Sequence, residues 1–158
     1  MSKFATKAGE NVFCQARYNA AKFNDRLYSR EGAAESIGLD RTRLARIELG
    51  STVPYPEEVL LMADAYNAPE LKNHYCCEMC PLGCQYQKVD MESLDRISIR
   101  ALSSFRKIEE AKEMLLDITE DGVISEAERG DLDAIMNTLE EVARISQSLK
   151  LWVEKNMK

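Results

Sequence analysis

The 22 residues from Ser29 to Gly50 constrain the fold of this chain more than any other segment. Ser29 and Asp40 are residue types that cap helix N-termini. Gly38 and Gly50 supply the backbone freedom with which a helix commonly ends. The segment therefore predicts two short helices, from about Ser29 to Ile37 and from about Asp40 to Leu49, joined by a tight turn.

The second of these helices carries three cations within six positions, namely Arg41, Arg43 and Arg46. A capped short helix with cations at its N-terminal end suits the major groove of DNA, where arginine donates two hydrogen bonds to guanine. The alternative is that these arginines form an ordinary solvent-exposed basic face of the helix. The turn, the cap and the helix expected from about Glu57 to Tyr66 favour the DNA interpretation.

The succession of a turn, an N-cap, apolar residues at helical spacing and a helix end resembles the helix-turn-helix of Cro/Xre-type regulators. The resemblance covers about residues 9 to 75. The residues that carry the resemblance are Ser29, Ala33, Ala34, Gly38, Leu44, Ile47, Glu48, Leu49, Gly50 and the helix Glu58 to Tyr66. The run Tyr75 to Gly83 is similar to an extension in Xre-like regulators of Gram-positive bacteria and their mobile elements. Gly32 departs from the pattern, because glycine inside a helix costs about 1 kcal/mol relative to alanine.

The resemblance implies contact roles for individual side chains. Base edges would be met by Arg41, Thr42, Ala45 and Arg46, and phosphates by Arg30, Arg43, Ser51 and Thr52. Leu44 and Ile47 would lie in the core. Glu48 resembles a structural acid that ties the second helix of the motif to its neighbours.

Composition is compatible with this interpretation. The chain has 158 residues with 45% hydrophobic content, enough for one folded domain plus an extension. Its net charge of −6 comes from the C-terminal half, because residues 1–75 hold ten basic and ten acidic side chains. No run of 18 apolar residues and no secretory signal is evident. We therefore expect a cytoplasmic protein that crosses no membrane and keeps its five cysteines reduced or metal-bound.

Helical periodicity along the chain predicts an all-α fold with three parts. Residues 1–9 form a flexible N-terminal arm, and residues 10–84 form a five-helix Cro/Xre-like DNA-binding domain with a cysteine-rich last helix. The first helix of that domain runs from about Glu10 to Asn24 and buries Phe23. Residues 85–158 form a long antiparallel helical hairpin.

Each helix of the hairpin carries an apolar stripe, and a break at Glu120 to Gly122 separates them. Ser125 and Glu128 have the spacing of a capping box that opens the second helix. Its heptad-like stripe is typical of a coiled coil and predicts a dimer interface made by Leu132, Ile135, Leu139, Val142, Leu149 and Trp152. The alternative is that the hairpin folds back on the N-terminal domain.

Four cysteines cluster at positions 76, 77, 80 and 84. Cys77 and Cys80 have the spacing of half a zinc or iron–sulfur site, and Cys76 and Cys84 would supply further ligands. No second pair of this kind exists, and cysteines one helical turn apart also serve as small apolar residues. We therefore favour no cofactor, and Zn or an iron–sulfur cluster is the alternative.

Residues 117–128 resemble a calcium-binding loop, with Asp117 at its first and Glu128 at its last position. An Asp-Gly turn followed by a capping box accounts for the same residues, and we prefer this interpretation. No catalytic motif is present, so an enzyme is not expected.

The sequence as a whole predicts a sequence-specific DNA-binding transcriptional regulator, a repressor that binds double-stranded DNA as a homodimer. One alternative is a protein-interaction adaptor or antirepressor whose helix-turn-helix does not bind DNA. The other is a cysteine-based metal or redox sensor.

Overall fold

A computed structural model describes residues 8–83, 87–119 and 124–157 of the protein. Every regular element in these ranges is a helix, which confirms the predicted all-α class. The chain divides into two compact units, with the boundary between Lys88 and Val89. Residues 1–7 of the predicted arm, Cys84 and residues 120–123 of the predicted break and calcium-like loop lie outside the described residues.

The described residues of the first unit, 8–83 and 87–88, form five α-helices. They are α1 (Val12–Ala21), α2 (Arg30–Ile37), α3 (Arg41–Glu48), α4 (Pro56–Ala65) and α5 (Glu70–Glu78), and short 3-10 helices lie at Ala8–Glu10 and Asp25–Tyr28. The predicted count of five is confirmed.

The first helix is shorter than predicted. It ends at Ala21, and the prediction that Phe23 lies in its buried face is wrong, because that side chain is 94% exposed. The physical reason is a competing local structure. The Asn24 side chain accepts a hydrogen bond from the Arg26 N–H at 3.2 Å and caps the following 3-10 helix, so the chain leaves α1 before Phe23 reaches the core.

The helix caps around the turn follow the sequence signals. The Ser29 hydroxyl accepts from the Gly32 N–H at 3.0 Å, and the Asp40 carboxylate accepts from the Arg43 N–H at 2.9 Å. Gly38 has a φ of 72°, a left-handed conformation that glycine adopts without steric cost. These caps fix where α2 stops and where α3 starts.

Packing explains why glycine occupies position 32, although glycine has a low helix propensity. A Cβ built at this position would collide with the backbone carbonyl oxygen of Arg26. The absence of a side chain therefore lets α2 approach the 3-10 helix Asp25–Tyr28 closely. The core beneath is made by apolar residues from all five helices, among them Phe13, Leu27, Ile37, Leu44, Ile47, Val59, Met62 and Leu71.

The second unit consists of α6 (Leu94–Ile118) and α7 (Arg129–Asn156), which pack on each other. Residues buried on α6 recur every seven positions, as Ile97, Ser104, Ala111 and Ile118. On α7 the buried residues are Ile135, Ile145, Ser148 and Leu151. The two helices are antiparallel, because Ile118 near the end of α6 clusters with Ile135 near the start of α7.

The second helix of the hairpin starts later than its capping signal suggests. Glu128 accepts a hydrogen bond from the Ser125 N–H at 2.7 Å, as a capping box requires, but α7 begins only at Arg129. Among the described residues, no helix combines the length and apolar character needed to cross a bilayer.

Candidate nucleic-acid interface

Helix α3 separates its side chains into a buried and an exposed set. Leu44 and Ile47 are fully buried, which confirms their predicted place in the core. Arg41, Thr42 and Arg46 are exposed, and Ala45 is half-buried. Residues three and four apart share a helix face, so Thr42, Ala45 and Arg46 form one outward surface, with Arg41 at its N-terminal end.

A buried ion network anchors the C-terminal end of α3. Arg17 of α1 donates from Nε to Glu48 Oε1 at 2.5 Å and from Nη2 to Oε2 at 3.0 Å. Its Nη1 donates to the carbonyls of Leu27 and Tyr28, at 2.8 and 3.0 Å. The side chains are 1% and 0% exposed. Glu48 therefore holds α3 to α1, and the guanidinium of Arg17 also holds the 3-10 helix.

Arg30 completes this network. Its Nε donates to Glu48 Oε2 at 2.7 Å, and a third of its side chain remains exposed. The predicted phosphate contact of Arg30 is untested, and the pairing shows that this residue also links α2 to α3. The structural role of Arg17 went unpredicted, although its position four residues after Phe13 and four before Ala21 places it on the buried face of α1.

Arg43 is engaged inside the domain. Its guanidinium donates to both carboxylate oxygens of Glu58 at 2.8 Å and to the carbonyl of Val53 at 3.1 Å. It also lies 4.7 Å from the centroid of the Tyr55 ring, within cation–π range. Through these contacts Arg43 fixes the loop between α3 and α4. They favour a structural role for Arg43 over the predicted phosphate contact.

The Arg43–Glu58 pair perturbs the carboxylate. The hydrogen bonds from the Arg43 guanidinium, and then that from the Tyr55 N–H, hold the pKa of Glu58 below its usual value. A depressed pKa in the folded state means that the ionised form of Glu58 is the one that stabilises the fold.

This shift predicts a pH dependence of stability. The contribution of Glu58 is complete above the unfolded-state pKa of about 4.3 and is lost as pH falls through the lower folded-state pKa. Glu58→Gln is therefore expected to be destabilised relative to wild type at neutral pH, with the difference shrinking in acid. Urea unfolding of both proteins across this pH range measures it, and a difference independent of pH would contradict the pairing.

Ser51 and Thr52 follow α3 directly. The Ser51 N–H donates to the carbonyl of Arg46 at 2.9 Å, and its side chain is exposed, whereas Thr52 is half-buried. Their predicted phosphate contacts remain predictions. Both lie beside the C-terminal end of the helix that presents Arg46.

The cysteine cluster lies at the end of α5. Cys76, Cys77 and Cys80 are half-buried thiols, and burial raises the pKa of Cys77, which disfavours the thiolate that binds metal. Over residues 8–83, 87–119 and 124–157, no three His, Cys, Asp or Glu side chains converge in a way that could hold a metal ion. The fourth predicted candidate, Cys84, is outside these ranges.

The predicted dimer stripe of α7 is divided between the hairpin core and the surface. Ile135 is buried in the core, while Leu132, Val142 and Trp152 are half-buried. Leu139 and Leu149 are exposed. The stripe as predicted therefore mixes residues that close the hairpin with residues that are free to meet another surface.

Comparison with known families fits the geometry of the first unit. Residues 25–73 match the model of a helix-turn-helix domain. The match spans the 3-10 helix Asp25–Tyr28, helices α2, α3 and α4, and the start of α5. A helix-turn-helix domain indicates a DNA-binding regulator. No curated protein and no solved structure matches the chain.

Proposed function

We propose that the protein is a Cro/Xre-type, sequence-specific DNA-binding repressor of the cytoplasm, which acts as a homodimer by occupying a promoter. The observation that carries the proposal is the outward surface of α3, formed by Arg41, Thr42, Ala45 and Arg46, on a helix whose opposite side is buried. This arrangement matches a recognition helix that enters the major groove of DNA.

The chemistry of this surface suits base edges. Each of Arg41 and Arg46 offers a planar fork of donors for O6 and N7 of guanine. Thr42 offers a hydroxyl and a methyl group, and Ala45 offers a methyl group of the size that contacts thymine. The surface is therefore expected to prefer a half-site that contains guanine next to thymine.

The ion pairs behind α3 contribute to recognition by holding it rigid. Glu48 anchors one end of the helix to Arg17 and Arg30, and Arg43 anchors its first turn to Glu58. A side chain mounted on a fixed helix loses less conformational entropy when it binds. By holding α3 in place, these inward contacts help the outward residues to recognise base edges.

The negative net charge of −6 does not oppose this proposal. Affinity for DNA depends on local cations that displace counterions from phosphates. Arg26, Arg41 and Arg46 are exposed cations of the first unit, whereas the excess of acidic residues lies in the second.

The proposal predicts that Arg46→Ala weakens binding to a selected operator by about 1–3 kcal/mol, with a loss that depends on the base opposite the residue. Operators are first selected from random DNA with the full protein. Titrations on single-base operator variants then measure the loss. Arg26→Ala, an exposed arginine on the 3-10 helix, is the matched control and is expected to lose affinity evenly or not at all.

Two outcomes would contradict the proposal. A loss for Arg46→Ala that is equal on every sequence would make this residue a phosphate contact. A wild-type protein that binds no duplex at low salt would favour the adaptor or antirepressor function instead.

A further inference from the structure

The cysteines at the end of α5 lie against a turn that folds back on the helix. α5 ends at Glu78, and the N–H of Cys80 still donates to the carbonyl of Tyr75 at 2.9 Å. The N–H of Gly83 then donates to the carbonyl of Cys80 at 2.9 Å. A Cβ built at Gly83 would collide with the backbone carbonyl of Cys76. The turn formed by residues 80–83 therefore packs on the peptide group of Cys76.

These contacts bring Cys76 and Cys80 within reach of each other. The carbonyl of Tyr75 that binds the Cys80 N–H belongs to the peptide group of the Cys76 nitrogen, and planar peptide geometry then keeps the two Cα atoms within about 7 Å. Disulfides usually join Cα atoms that are roughly 4.4–6.8 Å apart. Both side chains are half-buried, and neither thiol is in a disulfide in this structure. The two thiols can therefore be reached by a small oxidant and can react with each other.

Cys77 is the competing neighbour, because residues three apart on a helix also lie close together. Two observations favour Cys76 as the partner of Cys80. The turn that packs on the carbonyl of Cys76 is the one that is hydrogen-bonded to Cys80 through Gly83. Burial, and then the neighbouring Cys76 and Glu78, raise the pKa of the Cys77 thiol. Since the thiolate is the nucleophile in disulfide exchange, Cys77 is the less reactive candidate.

We propose that Cys76 and Cys80 form a redox site that reacts with low-molecular-weight disulfides and closes to an intramolecular bridge. The thiolate of one cysteine first attacks a sulfur of the small disulfide, which gives a mixed disulfide and releases one small thiolate. The thiolate of the other cysteine then attacks the protein sulfur of the mixed disulfide, forms the Cys76–Cys80 bond and releases the second small thiolate. The small disulfide takes up both electrons, and its two thiolates take up the two protons that the cysteines lose. This chemistry is independent of DNA binding.

Closing the bridge requires a small shift at the end of α5. Neighbouring residues on one helix face have Cβ atoms roughly 5–6 Å apart, whereas a disulfide needs about 3.8 Å. Cys80 lies beyond the last residue of the helix, and Pro81 and Leu82 after it are exposed. Movement of Cys80 towards Cys76 therefore displaces no buried residue immediately after it.

Oxidation of the full, reduced chain with glutathione disulfide tests the proposal. Wild type is expected to lose two thiols and the mass of two hydrogens, with no glutathione attached. Cleavage after Glu78 then leaves two peptides that stay joined until a reductant is added. Cys77→Ser and Cys84→Ser are the matched controls and are expected to keep the bridge. Cys76→Ser is expected to stop at a glutathione adduct.

Gly83→Ala tests whether the turn positions the pair. The added methyl group displaces the turn from the carbonyl of Cys76 without removing a thiol, so the bridge is expected to form at least about tenfold more slowly. Gly130→Ala is the control, because a Cβ there meets no atom within 4 Å. Circular dichroism checks that both variants keep their helix content.

Four outcomes would overturn the proposal. They are a wild type that ends only as glutathione adducts, a bridge that is lost in Cys77→Ser, a bridge that is kept in Cys76→Ser, and a Gly83→Ala protein that closes as fast as wild type.

Discussion

Glu48→Ala is expected to lower the free energy of unfolding by about 3–5 kcal/mol. Arg17 is 1% exposed, so the substitution leaves a guanidinium buried without its carboxylate. The loss exceeds that of an ordinary hydrogen bond, because an unpaired buried charge has lost its hydration without compensation. Denaturation of the full chain in urea, followed by circular dichroism, measures the change.

Glu78→Ala is the matched control for this prediction. Glu78 pairs with Lys88 at 2.9 Å, a distance close to those around Glu48, but both side chains are about half exposed. Exposed ion pairs contribute little because water and salt screen them, so this variant is expected to unfold with wild type. A Glu48→Ala protein as stable as the Glu78→Ala protein would contradict the role of the buried network.

Removing both charges is expected to restore only part of the loss. Arg17→Met combined with Glu48→Leu removes the fully buried guanidinium together with its carboxylate, and such replacements are often tolerated. Arg30, a third exposed, still loses its partner in this variant. In this protein, however, Arg17 also donates to the carbonyls of Leu27 and Tyr28. The double variant leaves these two acceptors without that donor, and it should remain less stable than wild type.

The turn between α2 and α3 could be predicted from sequence because its determinants are local. The caps at Ser29 and Asp40 satisfy N–H groups within three residues of themselves, and Gly38 adopts a left-handed conformation that glycine reaches without steric cost. Such signals do not depend on the tertiary fold. The same holds for the all-α class, which follows from apolar periodicity alone.

The roles of the arginines depended on partners distant in sequence. Glu48 is 31 positions from Arg17, and Glu58 is 15 positions from Arg43. The resemblance implies a phosphate contact for Arg43, and only the position of α4 shows that this side chain meets a carboxylate. Sequence reasoning therefore identified the outward surface of α3 but not which of its cations stay available for DNA.

The packing of the hairpin could be predicted only in part, for a related reason. A heptad-like stripe on α7 predicts that this helix packs on something, but not on what. The register of α6 against α7 decides that Ile135 turns inward while Leu139 stays outside.

Gly32→Ala is expected to lower the free energy of unfolding by about 1–3 kcal/mol, opposite in sign to its effect on helix propensity. In an exposed helix interior, replacing glycine by alanine stabilises by about 1 kcal/mol. At Gly32 the added methyl group would collide with the backbone carbonyl of Arg26. A backbone atom cannot rotate aside as a side chain can, so α2 or the 3-10 helix must shift, and overpacking of this kind typically costs 1–3 kcal/mol or more.

Gly130→Ala separates the two effects within the same chain. Gly130 lies in the first turn of α7, and a Cβ built there meets no atom within 4 Å. At this position the substitution changes helix propensity without a steric clash. Gly130→Ala is therefore expected to be more stable than wild type by up to about 1 kcal/mol. The free energies of unfolding of the two variants, measured in urea, should therefore change in opposite directions relative to wild type. If Gly32→Ala also gained stability, α2 would not depend on close contact with the 3-10 helix, and the position of α3 would depend on its ion pairs with Glu58 and with the Glu48 network instead.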